Sequence, residues 1–260
     1  MLLCVAMLAG ATTASAQQPV PPPAAPTPPL ERDGVVAPGH DGLLGLRQPG
    51  DQVRLSNETT VTRWTNAIRR SVVRARPSGG ARRITRLRLE SASASAEVYG
   101  VLRGRVDGGG RTWLQVRLPG RPNGRVGWAL ADAFDKLHLV RTQLVINRST
   151  LRATFYRRGR KLWRAPVGVG KTSTPTPRGH FFIDRKEGAI FGRVYGTNVF
   201  FTTALSNLPS WPGGGVVGMH GTNQPELVPG RPSHGCIRVH NRDIKRLARL
   251  MPVGTPLLIR

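Results

Sequence analysis

From about residue 71 to the end of the chain, short apolar runs alternate with polar residues and stop at glycine, proline or Asn-Gly. That pattern admits strands and excludes long helices. Val98-Tyr99-Gly100-Val101-Leu102 and the stretch 112–118 read as strands, Pro77-Ser78-Gly79-Gly80 as a turn and Asn123-Gly124 as a hairpin turn, with Val126-Gly127-Trp128 closing the unit. A second set runs through 143–147, 150–156, a turn at Arg158-Gly159, then 162–170, 174–183, 199–203 and 216–219. One segment has helical period: 242–251, capped by Asn241, with Ile244, Leu247 and Leu250/Met251 on one face and Pro252 as its stop. Residues 256–259 make a last strand. Trp64, Ile68 and Val72 fit either one helical face or an irregular lead-in. The expected class is mainly β with one or two short helices.

The chain has 260 residues, room for one or two domains with cores of their own. Its formal charge is +25, and only five of the 39 basic residues are lysine. Such a charge draws polyanions: nucleic acid, an anionic membrane surface or an anionic cell-wall polymer. A preference for arginine codons in a GC-rich genome accounts for the same count, because the basic residues are spread along the chain. With no recognition helix, zinc-finger spacing or aromatic-flanked basic motif, nucleic acid is not an expected partner. Residues 1–10 are apolar yet too short to span a bilayer, and Ala14-Ser15-Ala16 reads as an export-cleavage signal before Gln17. A Pro/Ala tract follows as an extended spacer. The expected organisation is a signal peptide at 1–16, a Pro-rich linker at 17–50, a small β-domain with lead-in at 51–136 and a second domain at 137–260. The mature chain would be exported to the cell wall or an equivalent extracytoplasmic space and would carry no transmembrane segment.

Cleavage would remove Cys4 and leave Cys236 as the one cysteine. A single thiol in an oxidising compartment forms no internal disulfide, so a nucleophile is the favoured reading over an inert buried cysteine. Cys236 lies in Arg231-Pro-Ser-His-Gly-Cys-Ile-Arg-Val-His-Asn241, with His220 upstream. A thiol attacks as thiolate, and an imidazole or a cation must help it there. If 236–240 runs extended, period two puts Cys236, Arg238 and His240 on one face and Ile237 and Val239 in the core. The guanidinium of Arg238 would favour thiolate; His240 reads as a polar surface residue. Zinc is the rival, since His220, His234, Cys236 and His240 offer ligand atoms, but their spacing matches no standard zinc signature.

Together, His220-Gly221-Thr222 and Ser233-His234-Gly235-Cys236-Ile237-Arg238 resemble the signature of the L,D-transpeptidase catalytic domain, the YkuD-type fold. The likeness extends to Thr174-Pro-Thr-Pro-x-Gly-x-Phe and Asn241-x-Asp243, over about residues 137–260. The strand order before it resembles a bacterial SH3-like domain, a barrel of five to six strands. The resemblance implies an SH3-like barrel followed by a YkuD-type mixed β-sandwich. It implies Cys236 as nucleophile, His220 as base and the Gly221 carbonyl as the group orienting His220. Backbone amides around His234, Gly235 and Cys236 would form the oxyanion hole, with Ser233 and His234 supporting. Arg238 and Tyr195 would meet substrate, and Trp211 would sit with Tyr195 in a lid. The implied partner is a peptidoglycan tetrapeptide stem, whose D-Ala is released before an amine acceptor resolves the thioester into a 3→3 cross-link. No cofactor is implied. Water as acceptor would make a carboxypeptidase, and the remaining rival is a non-catalytic peptidoglycan-binding protein.

Overall fold

The computed structural model describes residues 46–260 apart from 93, 189, 190 and 211. The expected signal peptide, most of the expected linker, Cys4 and Trp211 lie outside the described residues. An N-terminal sheet is built from β1 (Gln52–Arg54), β2 (Thr62–Asn66), β3 (Val72–Arg74), β4 (Arg83–Arg86), β5 (Val98–Val106), β6 (Thr112–Arg117), β7 (Val126–Leu130) and β8 (His138–Val140). Its order is β4-β3-β7-β6-β5-β2-β8, with β1 also on β5. Val73, Tyr99, Val101, Leu114, Val116 and Ala129 fill its core with Leu55 and Leu87 from the loops.

The pattern of 62–72 was open to a helix, but the chain is extended there. Thr62 and Thr65 are buried, Trp64 stacks on His138 with ring centroids 4.2 Å apart, and Ile68 is 60% exposed. The β-branched Thr62 and Thr65 and the aromatic Trp64 suit a pleated surface better than a helical turn. The sheet therefore has eight strands rather than the expected five or six, because β1, β2 and β8 join it. β8 lies beyond residue 137, where the second domain was expected to begin, yet it pairs with β2.

The C-terminal sheet comprises β9 (Thr142–Asn147), β10 (Arg152–Arg157), β11 (Arg160–Pro166), β12 (Gly168–Gly170), β13 (Gly179–Glu187), β14 (Val199–Leu205), β15 (Val216–His220), β16 (Gly230–Ser233), β17 (Ile237–Arg238) and β18 (Pro256–Ile259). The order is β11-β10-β9-β18-β13-β14-β15-β17-β12-β16. One α-helix is present among the described residues, α1 (Asn241–Leu250), and none is long and apolar enough to cross a membrane. Ile244 and Leu247 of α1 are fully buried in a core shared with Phe200, Met219, Ile237 and Val239. Full burial of such a side chain contributes about 1.5–3 kcal/mol, enough to seat a ten-residue helix that is marginal alone.

Asn241 was expected to cap this helix. His240 occupies the cap position instead, without a side-chain cap bond, and Asn241 is the first helical residue. Its amide is committed elsewhere, to the backbone beside His220.

The two sheets pack on each other. A Cβ on Gly100 of β5 would stand 1.9 Å from the ring of Phe182 on β13, so a glycine in mid-strand marks where the other unit enters. Trp64 lies against Gly254 in the same manner, and Ser95 Oγ donates to Asp184 at 3.2 Å.

Candidate active site

The site is set by one sheet face. β15 and β17 are parallel neighbours, pairing Met219 with Ile237 and His220 with Arg238. Met219 and Ile237 point into the core, so the alternate residues Gly218, His220, Cys236 and Arg238 share the opposite face. β14 adds Phe201, opposite Gly218, and Val199, opposite His220. The expected alternation across 236–240 is observed: Ile237 and Val239 are buried, and Cys236, Arg238 and His240 are half-buried.

Ser233 closes the turn that carries the thiol. Its Oγ donates to the Cys236 carbonyl at 2.6 Å and accepts from the Gly235 N–H at 3.2 Å. Gly235 sits at φ +124°, a left-handed conformation suited to glycine. One amide of the expected oxyanion hole, that of Gly235, is thus engaged within the turn. Beneath it, Thr176 Oγ1 donates to the Gly235 carbonyl at 2.8 Å. His234 is exposed.

His220 is 4% exposed, and its Nδ1 is 2.6 Å from the Gly221 carbonyl. A carbonyl only accepts, so Nδ1 carries the proton and Nε2 keeps its lone pair. The Gly221–Thr222 backbone is itself gripped by Asn241: Thr222 N–H donates to Oδ1 and Asn241 Nδ2 donates to the Thr222 carbonyl, both at 3.0 Å. Gly196 and Gly221 meet over this amide, and a Cβ on either would fall 2.1 Å from Asn241 Oδ1. Tyr195 lies over the imidazole with ring centroids 4.9 Å apart, and Phe191 touches both Tyr195 and Phe201.

Burial lowers the His220 pKa to about 4, outweighing the Gly221 carbonyl, and Arg238 pushes in the same downward direction. Burial raises the Cys236 thiol; the Gly218 N–H, 3.4 Å from Sγ, and Arg238 pull it down without reversing the sign. Arg238 favours thiolate, as its spacing from Cys236 suggested, but desolvation dominates. The resting pair is a neutral imidazole and a neutral thiol.

Arg238 Nη1 donates to Gln224 at 2.9 Å, while its buried Nε has no hydrogen-bond partner among the described residues. His240 turns away, with Nε2 3.2 Å from the Pro225 carbonyl. The atoms offered for zinc therefore diverge: His220 faces Gly221, His240 faces Pro225 and His234 is at the surface. Beside the Gly221–Thr222 turn an open groove of about 780 Å³ presents Arg193, His240 and Arg242. Sequence reasoning missed Gly218, whose one signal was a glycine inside an apolar strand, and the positioning role of Asn241, hidden by its resemblance to a helix cap.

Residues 141–259 match the family model of the L,D-transpeptidase catalytic domain. The C-terminal sheet and α1 are the part so matched. The putative L,D-transpeptidase YkuD of Bacillus licheniformis is 37% identical over 122 residues, 46% of this chain and 64% of the relative. The protein of the same name from Bacillus subtilis is 37% identical over 97 residues, 36% of this chain and 51% of the relative. The chain thus spans between half and two thirds of the length of these relatives. The solved catalytic domain of an L,D-transpeptidase from E. faecium is 27% identical, matched over 46% of this chain and 96% of that one with a TM-score of 0.36.

Proposed function

We propose that this protein is an exported peptidoglycan L,D-transpeptidase that works through a thioester on Cys236. The supporting observation is the shared sheet face: His220 ends β15 and Cys236 immediately precedes its parallel neighbour β17, with the His220 tautomer set by the Gly221 carbonyl. As the stem peptide binds, Sγ attacks the carbonyl of the third stem residue while His220 Nε2 takes the thiol proton. The tetrahedral oxyanion is met by backbone N–H groups of the 233–236 turn other than that of Gly235, which Ser233 Oγ holds. The C–N bond breaks, His220 returns the proton to the departing D-Ala amine, and a thioester remains. An acceptor amine, deprotonated by His220, attacks that thioester, expels the thiol and leaves a 3→3 cross-link. The roles of orienting group and backbone support fall to Gly221 and to Ser233, His234 and Gly235. The unpaired Nε of Arg238 suits a stem carboxylate, and Tyr195 walls the imidazole from water. No step needs a cofactor.

In this reading residues 1–16 direct export, 17–50 space the enzyme from the membrane, and the N-terminal β unit is an SH3-like module. The positive charge concentrates the enzyme on an anionic wall polymer. Intact-mass analysis of the protein with a tetrapeptide muropeptide tests the chemistry. A thioacyl adduct on Cys236, D-Ala release and a dimeric product are expected, and Cys236→Ala should lose all three. Adduct with tripeptide as the sole product would make the enzyme a carboxypeptidase, and a folded protein that forms no adduct would be a wall-binding protein.

A further inference from the structure

The stretch between β14 and β15, residues 206–215, is Ser-Asn-Leu-Pro-Ser-Trp-Pro-Gly-Gly-Gly, a sequence that ends in three consecutive glycines. Gly213, Gly214 and Gly215 all have φ between +67° and +77°. Asn207, Pro209, Ser210, Gly213 and Gly214 are exposed, the setting in which local opening is easiest. Its base is closed by Ser206 N–H donating to the Gly215 carbonyl at 2.8 Å. That base abuts the thiol-bearing turn, because a Cβ on Gly235 would lie 3.1 Å from Ser206 Cβ.

What grips this base comes from the other unit. The β6–β7 connection sends Arg121 Nη2 to the carbonyls of Ser206 and Gly214, at 2.9 and 3.0 Å. Two residues on, Asn123 takes both main-chain groups of Leu205: Nδ2 donates to the carbonyl at 2.7 Å and Oδ1 accepts the N–H at 3.2 Å. Asn123 thus stands in for a neighbouring strand at the end of β14. Apolar contacts elsewhere, such as Phe182 against Gly100, also join the two units. Two hydrogen bonds onto segment 206–215 and two onto Leu205 at its root do something more specific: they fix where that segment stands beside Gly235 and Cys236.

We propose that Arg121 and Asn123 are positioning residues, through which the N-terminal unit holds segment 206–215 against the Cys236 turn and so sets access to Sγ. The consequence for turnover rests on the reading of Cys236 as nucleophile, whereas the consequence for thiol access does not. The N-terminal unit is then part of the working enzyme as well as a module for attachment.

The full chain carrying Arg121→Met and Asn123→Ala would be compared with the parent protein by amide hydrogen exchange, by the rate of Cys236 alkylation with iodoacetamide read on the Cys236 peptide, and by acylation kinetics with a tetrapeptide stem. Exchange should quicken roughly tenfold across 206–215 while the β9, β10 and β18 amides keep their rates, since about one net hydrogen bond of stability is lost at each anchor. Alkylation should quicken, and the acylation rate at saturating peptide should fall while KM changes little. Arg121→Lys should recover most of both, because an ammonium can donate to two carbonyls. Unchanged exchange in 206–215 together with unchanged alkylation would overturn the proposal. Should the double variant unfold, Arg121→Met alone carries the same comparison. A parent protein that forms no adduct would sink the transpeptidase reading and leave the exchange and alkylation results to judge the clamp.

Discussion

Replacing Asn241 by alanine should damage both stability and catalysis, through a residue with no expected contact to substrate. Its amide makes two hydrogen bonds to the backbone of Thr222, a residue only 2% exposed. Alanine removes both partners at once and leaves a buried N–H and a buried carbonyl facing a gap. A net hydrogen bond is worth about 1 kcal/mol, and a stranded buried group costs roughly 1–3 kcal/mol, so the loss should total about 2–4 kcal/mol. The urea midpoint should fall accordingly with the slope unchanged. The Gly221 carbonyl that orients His220 is one residue from Thr222, so the acylation rate should fall as well, with KM little altered. Asn241→Asp distinguishes the two effects: it keeps the acceptor for Thr222 N–H but sets a carboxylate against the Thr222 carbonyl. A loss below about 0.5 kcal/mol for Asn241→Ala, the level of an ordinary surface change, would refute the reasoning.

Four further outcomes are expected. The acid limb of kcat/KM should fall near pH 4, the value to which burial brings His220, and Arg238→Gln should move it upward by removing a nearby positive charge. Glu97, 1% exposed, has its pKa raised from 4.5 to about 7, chiefly by burial. Its contribution to stability is therefore complete below about pH 4.5 and lost as pH rises through about 7; Glu97→Gln should flatten this slope and recover up to about 3 kcal/mol at pH 8, read by urea unfolding across pH. Phe182→Ala should cost about 3–5 kcal/mol and raise protease sensitivity at the junction of the two sheets, since the ring fills the space over Gly100. Raising salt from 0.05 to 1 M shortens the screening length to about 3 Å and should raise KM for the anionic stem while leaving the saturated acylation rate nearly unchanged; a parallel fall in that rate would contradict the account below.

Strand content was legible from about residue 71 onward because apolar alternation and turn chemistry agreed there, as in 112–118 and 143–170. At 62–72 it stayed open, because the spacing of Trp64, Ile68 and Val72 copies a helical stripe as readily as an irregular lead-in. The contacts that decide that segment, His138 and Gly254, lie far away in sequence. The pairing of His220 with Arg238 across β15 and β17 is likewise a property of sheet register, which no local pattern contains. Asn241 shows the same limit from the other side. Its position before a helical run is what a cap looks like, and only the folded chain reveals that Thr222 takes the amide instead. The direction of the Cys236 shift also escaped, since a neighbouring arginine is visible in sequence but the depth of burial is not.

The opposed shifts at Cys236 and His220 explain how a protein of net charge +25 can keep its reacting pair uncharged. Passing a proton from Sγ to Nε2 creates one negative and one positive charge side by side. A positive potential favours the first and disfavours the second, so to first order the field of the arginines cancels out of the transfer. Arg238 illustrates this locally, lowering both the thiol and the imidazole. Burial does not cancel, because it penalises both charged forms and so holds the proton on sulfur. The transfer becomes favourable when the new negative charge can pass from sulfur to the carbonyl oxygen, where backbone N–H groups can meet it. On this account the thiol is protected from indiscriminate reaction until a carbonyl is in place. Under the proposed function, the large positive charge would act on encounter with the anionic wall and its stems, which salt screens, and would leave the chemical step alone.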